Sequence, residues 1–410
     1  MFLSGIWFYV EHDYGKDMSI AKKTGKTRWA DIFLLILSAT ISSIFAEAAL
    51  RIVFDPVDYL VPNIMDDDIL GIRITPSSAG HDSWGYRNQS VPTTADIVAI
   101  GDSQTYGVSA TSQNSWPALL QTMTQKTVYN LSVPGYNPVD YYHLLTHEAF
   151  KLNPSVVIVG FYLGNDLGEA YRAVYARNYW KDFRKTGFVP EKGVASNTVQ
   201  SVIAGDPQFM RSLRGWLARH SVLYRTVAFH LSDHLRFLSG KQRQGDPNVM
   251  LFEDIGHDIR TVFTPVMRLG VVNLTDPRVQ EGLRISFDVL KKMNEQSLKR
   301  GITLIVAVIP TKESVFAQYI ENDKTLRPTH PIRELLVSER QVRGRVHAHF
   351  RENRIAYIDL LPSLMGAVEK KQIYPHADSH PNKEGYQIIA ETIYHYLVNT
   401  RMISPKNIQD

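Results

Sequence analysis

Five short runs with apolar centres constrain this chain more than any other feature: DIVAI (Asp96–Ile100), TVYNLSVPG (Thr127–Gly135), SVVIVGFYLGND (Ser155–Asp166), ITLIVAVIP (Ile302–Pro310) and RIAYIDL (Arg354–Leu360). A strand that is apolar at successive positions needs cover on both of its faces, which is the situation inside a parallel sheet. Helical patterns lie between the runs. SWPALLQTMTQ (Ser115–Gln125) offers Ser115 as an N-cap and Pro117 in the first turn, and RISFDVLKKMNEQSLKRG (Arg284–Gly301) is amphipathic with a glycine stop. KEGYQIIAETIYHYLVN (Lys383–Asn399) reads as a closing helix. The alternation predicts an α/β domain over 96–400, a parallel sheet covered by helices on both faces. In open sheets of this kind ligands sit beyond the carboxyl ends of the strands. Three polar clusters, GDSQTYG, SVPGYN and GND, fall at such ends.

The alternation breaks down at about 167–280. That insertion carries YRAVYARNYWKDFRK and RSLRGWLARHSVLYRTVAFHL, both basic and aromatic, and is expected to form a helical cap with a solvated cationic face. Residues 55–95, rich in Pro, Asp, Ser and Gly, read as a linker, and 401–410 as a tail.

The N-terminal 54 residues are of a different kind. Lys22, Lys23, Lys26 and Arg28 precede the uncharged run IFLLILSATISSIFA, Ile32 to Ala46. Extended over 32–54 the segment is long enough to span a bilayer, with Glu47 and Arg51 near its far end. The basic flank predicts a cytoplasmic leader over 1–31 and an extracytoplasmic, periplasmic body held at the inner membrane. Ala46-Glu47-Ala48 also resembles a cleavage site, so a removed signal peptide is an alternative, as is a buried helix of a soluble protein. Met18 begins a more usual basic leader than Met1 does.

Composition excludes several chemistries. With no cysteine there are no disulfides, thiolate metal sites or cysteine nucleophile. A net charge of +4 over 410 residues gives no concentrated basic field, so nucleic acid is not an expected partner.

A serine nucleophile needs a base, a group that orients the base, and donors for an oxyanion. Ser103 stands in the first polar cluster. Near the C-terminus, YPHADSHPNKEG (Tyr374–Gly385) supplies His380 as a base just before a helix start, with Asp378 two residues earlier. His376 in the same stretch reads as an ordinary loop histidine. Oxyanion donors are available from the Ser103 N–H, the Gly135 N–H and the Asn165 side-chain amide, with Asp102 and Asp166 beside them as supporting residues. Asn165 and Asp166 also suit a helix cap.

These blocks, GDSQTYG with Ser103, SVPGYN with Gly135, GND with Asn165 and DSHPN with His380, resemble the SGNH/GDSL hydrolase superfamily over about 80–166 and 284–397. WGYRN (Trp84–Asn88) and VIPTKESVF (Val308–Phe316) are similar to membrane-anchored bacterial members. The resemblance implies a three-layer α/β/α flavodoxin-like fold and acyl-ester chemistry without metal or cofactor. It makes Ser103 the nucleophile, His380 the acid/base and Asp378 its support. Two positions depart from the family pattern. Many members have D-x-x-H, which would put Ala377 at the acidic position, whereas here the acid is Asp378. Relatives with the D-x-H spacing include alginate O-acetyltransferases, which tilts the expected substrate toward a polysaccharide. Gln104 stands where the name-giving motif has Leu. The expected function is an exported, membrane-tethered esterase acting on acyl, chiefly acetyl, esters of a saccharide or envelope polymer. An O-acetyltransferase using the same residues and a non-catalytic partner in a polysaccharide modification or export complex are the alternatives.

Overall fold

The computed structural model describes residues 25–190, 212–228 and 248–404. The leader up to residue 24, the end of the tail and parts of the insertion lie outside the described residues. Two compact units are present, 1–50 and 51–410. Helix α1 spans Gly25–Val53. Its stretch Trp29–Val53 is long and apolar enough to cross a membrane, a property that an anchor and a signal sequence share.

The second unit is built on the five runs named above. A two-stranded hairpin, β1 (Ile64–Asp67) and β2 (Gly71–Ile74), comes first. The main sheet then uses β3 (Ile97–Gly101), β4 (Val128–Ser132) and β5 (Val156–Tyr162). A second hairpin, β6 (Met250–Asp254) and β7 (Ile259–Phe263), lies in the insertion. The strands β8 (Thr303–Ile309) and β9 (Ala356–Asp359) complete the main sheet. Its order is β4-β3-β5-β8-β9, and every neighbouring pair is parallel. Chain order reverses at β3 and β5, so the loops leaving these two strands open on the crevice where such folds hold ligands.

Side-chain alternation divides the core. Val98 and Ile100 of β3, and Val157, Val159 and Phe161 of β5, face one hydrophobic layer. Ile97 and Ala99, with Val156 and Ile158, face the other. The first layer is covered by α3 (Pro138–His147), α4 (Asp166–Ala176), α7 (Pro277–Leu298) and α8 (Pro331–Glu352), with Leu144, Leu167, Val289 and Val342 buried there. The second is covered by α2 (Trp116–Thr124), α9 (Leu361–Val368) and α10 (Lys383–Asn399), with Trp116, Leu364 and Ile389 buried there. Each such fully buried aliphatic side chain is worth about 1.5–3 kcal/mol, enough for the two layers to fix the strand register. Helix α7 starts before the expected Arg284, because the Asp276 side chain caps it by accepting from the Arg278 N–H at 2.8 Å.

Two segments are organised differently from the expectation. Residues 55–95, read as a linker, are packed into the domain: Leu70, Ile72, Ile74 and Tyr86 join the core. Buried Arg87 donates to Asp58 Oδ1 at 2.7 Å and to the carbonyls of Gly107 and Ala110 at 2.8 and 2.9 Å. Polar and glycine-rich composition here marks irregular backbone satisfied by side chains, not a free tether. The insertion is not purely helical, since it includes the β6–β7 hairpin beside α4, α5 (Leu213–His220) and α6 (Pro265–Val272). Arg177, in its basic stretch, is turned inward onto Asp140 Oδ1 and the Ile69 carbonyl, both at 2.6 Å, and Trp180 and Phe183 are buried.

Candidate active site

Strand β3 ends at Gly101 and the chain turns at once into a single helical turn, Ser103–Tyr106. A side chain at Gly101 would overlap Thr105 Oγ1, so the glycine lets the turn fold back against the strand end. Asp102 caps the turn, its Oδ1 accepting from the Gln104 N–H at 2.8 Å. Ser103 thereby occupies the first helical position, with its own N–H directed out of the turn and without an acceptor among the described residues.

His380 Nε2 lies 2.9 Å from Ser103 Oγ. On the far side of the ring, Nδ1 lies 2.7 Å from Asp378 Oδ1, and the same oxygen accepts from the His380 N–H at 2.9 Å. The i, i+2 spacing thus bends the loop so that one carboxylate holds both the ring and the backbone of His380. Asp378 Oδ2 accepts from Ser109 Oγ at 2.6 Å. Burial raises the Asp378 carboxyl, but the hydrogen bond and charge of His380, with the bonds from Ser109 and the His380 backbone, outweigh it and hold the group well below the ordinary carboxylate range.

The loop carrying these residues is held from beneath. Lys312, 1% exposed, donates to the carbonyls of Pro375, His376 and Asp378 at 2.8, 3.2 and 2.8 Å. Burial pushes its ammonium down to about 8, against the pull of Glu313 and Asp378. The Val262 N–H of β7 donates to the His376 carbonyl at 2.8 Å, and the His376 ring is bonded to the Arg260 carbonyl. His376 therefore docks the inserted hairpin on the loop. Asn382 caps α10 by accepting from the Glu384 and Gly385 N–H groups, which fixes where the loop ends.

Asn165 follows β5 at the reversal point of the sheet. Its Nδ2 donates to Asp102 Oδ2 at 3.0 Å, the oxygen that Ser103 Oγ approaches at 3.3 Å. One buried carboxylate therefore gathers the serine and the amide, and among the described residues Asn165 Oδ1 has no hydrogen-bond partner. Burial raises the Asp102 carboxyl, against its bonds to Gln104 and Asn165. Asp166, fully buried, accepts from Tyr141 Oη and from the Tyr162 N–H, both at 2.9 Å, and closes the turn after β5. Burial and the Asp102 charge raise it too. Gly135, in the turn after β4, has φ +88°, a left-handed conformation that suits glycine. Among the described residues no hydrogen bond joins it to the other site residues. Ser109 carries no sequence signal, and Lys312 and Arg87 carry only their places in VIPTKESVF and WGYRN, which give no role by themselves.

No group of three or more His, Asp or Glu side chains fit to hold a metal ion occurs among the described residues. A cleft of about 900 Å³ lined by Asp66, Asp67, Arg177, Tyr179 and Lys181 contains no serine–histidine pair.

The parallel sheet and its two helical layers form an SGNH-like three-layer α/β/α fold. Residues 272–408 match the family model described as SGNH hydrolase-like domain, acetyltransferase AlgX. That match includes Asp378 and His380 and leaves Ser103, Gly135 and Asn165 outside it. Solved structures of the GDSL kind are also similar at low identity. An acetylxylan esterase of Geobacillus stearothermophilus, solved as a catalytic mutant, is 11% identical, with 78% of this chain and 99% of that chain covered and a TM-score of 0.35. A member of the lipolytic protein G-D-S-L family from Veillonella parvula is 12% identical, with 73% and 96% covered and a TM-score of 0.34. A GDSL-like lipase from Bacteroides thetaiotaomicron is 11% identical, with 74% and 88% covered and a TM-score of 0.34. No curated protein matches the chain.

Proposed function

We propose that this protein is a serine-dependent acyl-ester enzyme, tethered by α1, that removes acetyl groups from a saccharide or cell-envelope polymer. The observation that carries this reading is the line Ser103 Oγ–His380 Nε2–Asp378, with contacts of 2.9 and 2.7 Å. In the first half-reaction Ser103 Oγ attacks the ester carbonyl while its proton passes to His380 Nε2. Asp378 holds the other nitrogen and stabilises the imidazolium that forms. The carbonyl oxygen becomes an oxyanion, for which the Ser103 N–H, the Gly135 N–H and the second N–H of the Asn165 amide are the donors. Collapse breaks the ester C–O bond, and His380 returns the proton to the departing sugar alkoxide. In the second half-reaction water adds to the acyl-enzyme, gives its proton to His380 and releases acetic acid, and Ser103 recovers its proton.

A second reading is favoured by the family model, whose description names an acetyltransferase. Replacing water by a sugar hydroxyl in the second half-reaction turns the same acyl-enzyme into an O-acetyltransferase. The basic residues before the apolar run, Lys22, Lys23, Lys26 and Arg28, support a periplasmic site for either reaction.

Labelling of the purified full-length protein by a fluorophosphonate, and its loss in Ser103→Ala, tests the acyl-enzyme. Hydrolysis of p-nitrophenyl acetate and of acetylated xylo-oligosaccharides, with and without an added saccharide acceptor, then separates hydrolysis from transfer. A folded wild-type protein that neither reacts with the probe nor cleaves acetyl esters would favour the non-catalytic role.

A further inference from the structure

Arg268 lies on α6, within the insertion, and is buried at 9% exposure. Its guanidinium reaches two loops far apart in sequence. Nη1 donates to the Gly164 carbonyl at 2.7 Å, immediately before Asn165. Nη2 donates to Ser379 Oγ at 2.8 Å, the residue between Asp378 and His380. The guanidinium carbon stands 5.4 Å from the centroid of the Tyr162 ring, at the end of β5. A guanidinium is planar and its donors diverge at fixed angles, so a single rigid group spans the two loops. Neither loop is held at that point by a strand ladder, so their separation depends on side-chain bonds such as these.

We propose that Arg268 is a positioning residue that sets the distance between the oxyanion donor Asn165 and the base His380. The inserted segment thereby becomes part of the catalytic apparatus and not only a cover. The inference rests on the acyl-enzyme reading. A lysine at this position would keep the charge but, as a point donor on a flexible stem, would not hold both loops in one geometry. Misplacement of reacting groups by about 1 Å can cost about 100-fold in rate.

The test uses the full-length protein in detergent with Arg268→Lys, Ser379→Ala and the double variant. Arg268→Lys should lower turnover on p-nitrophenyl acetate by about 10- to 100-fold with KM within about threefold of wild type. Ser379→Ala removes one arm and should have a smaller effect, and the double variant should be no worse than Arg268→Lys alone. Amide hydrogen exchange gives a readout independent of activity: both the 163–166 and the 376–381 segments should exchange faster in Arg268→Lys. Exchange that rises in one loop only, turnover within about twofold of wild type, or fully additive losses in the double variant would overturn the clamp. If Arg268→Lys does not fold, faster exchange of both loops in Ser379→Ala still supports the clamp, and unchanged exchange there overturns it. A wild-type protein inert to the fluorophosphonate probe sinks the acyl-enzyme reading instead, and the exchange result then judges the clamp by itself.

Discussion

Among the described residues Asn165 makes one hydrogen bond through its amide nitrogen, to Asp102, and that bond orients the remaining N–H. If this N–H serves the oxyanion, its contribution arises in the transition state and not in the bound ester. Asn165→Ala should then lower turnover by about 10²- to 10³-fold, about 2.7–4 kcal/mol, with little change in KM. Steady-state kinetics on p-nitrophenyl acetate decide it, and an unchanged turnover number removes Asn165 from the mechanism. Asp378 makes a prediction about stability. Its folded pKa is held below the unfolded value of about 3.9, so the group stabilises the fold above that value. The contribution is lost as pH falls through the folded pKa. The urea midpoint of wild type should therefore exceed that of Asp378→Asn at about pH 5, and the gap should narrow steadily as the pH falls below the unfolded value of about 3.9 toward the folded pKa. A gap that is the same at both pH values would mean that the carboxylate adds no charge-dependent stability.

At the scale of elements, the loop 374–381 has no ladder of its own and depends on donors from its neighbours. Lys312 is the main one. Replacing it with methionine keeps most of the buried volume but leaves the Pro375 and Asp378 carbonyls without their donor. Leaving a buried acceptor unpaired costs about 1–3 kcal/mol, so Lys312→Met should lower the free energy of unfolding by at least that order, measured by urea denaturation. Loss of the loop geometry should also slow fluorophosphonate labelling of Ser103. Normal stability and normal labelling in this variant would mean that the loop is held by β7 and α10 alone. The start of α10 was readable because its signal is local: Asn382 sits at the cap it forms, and the apolar runs match the five strands, whereas the start of α7 at Asp276 lies upstream of the amphipathic stretch from Arg284. The packing of residues 55–95 was not readable. A segment whose backbone N–H groups are satisfied by the Asp55, Asp67 and Asp82 side chains has the composition of a loop whether or not it is packed.

For the whole molecule, the apolar stretch Trp29–Val53 of α1 bears on where the domain works. If α1 anchors the chain with its basic flank in the cytoplasm, an alkaline phosphatase fused after residue 100 should be active, because that reporter needs an extracytoplasmic location. Glu47 favours a shallow register, since a charge at the bilayer centre costs about 2.5–3.5 kcal/mol on insertion scales. Full-length protein should then fractionate with membranes. An inactive fusion overturns the export reading, and an active fusion with soluble mature protein makes the segment a cleaved signal.

The α/β class, the placement of chemistry-bearing blocks at strand ends and the pairing of Ser103 with His380 could be proposed from residues alone, because periodicity, caps and motif order are written along the chain. The residues that hold those blocks in place could not. Arg268 meets Gly164 and Ser379, Lys312 meets Pro375 and Asp378, and Arg87 meets Gly107 and Ala110. Most of these acceptors are backbone carbonyls, which every residue type supplies and which therefore leave no mark in a sequence. Their donors become visible only when folding brings segments a hundred residues apart, as 164 and 268 are, within reach of one guanidinium.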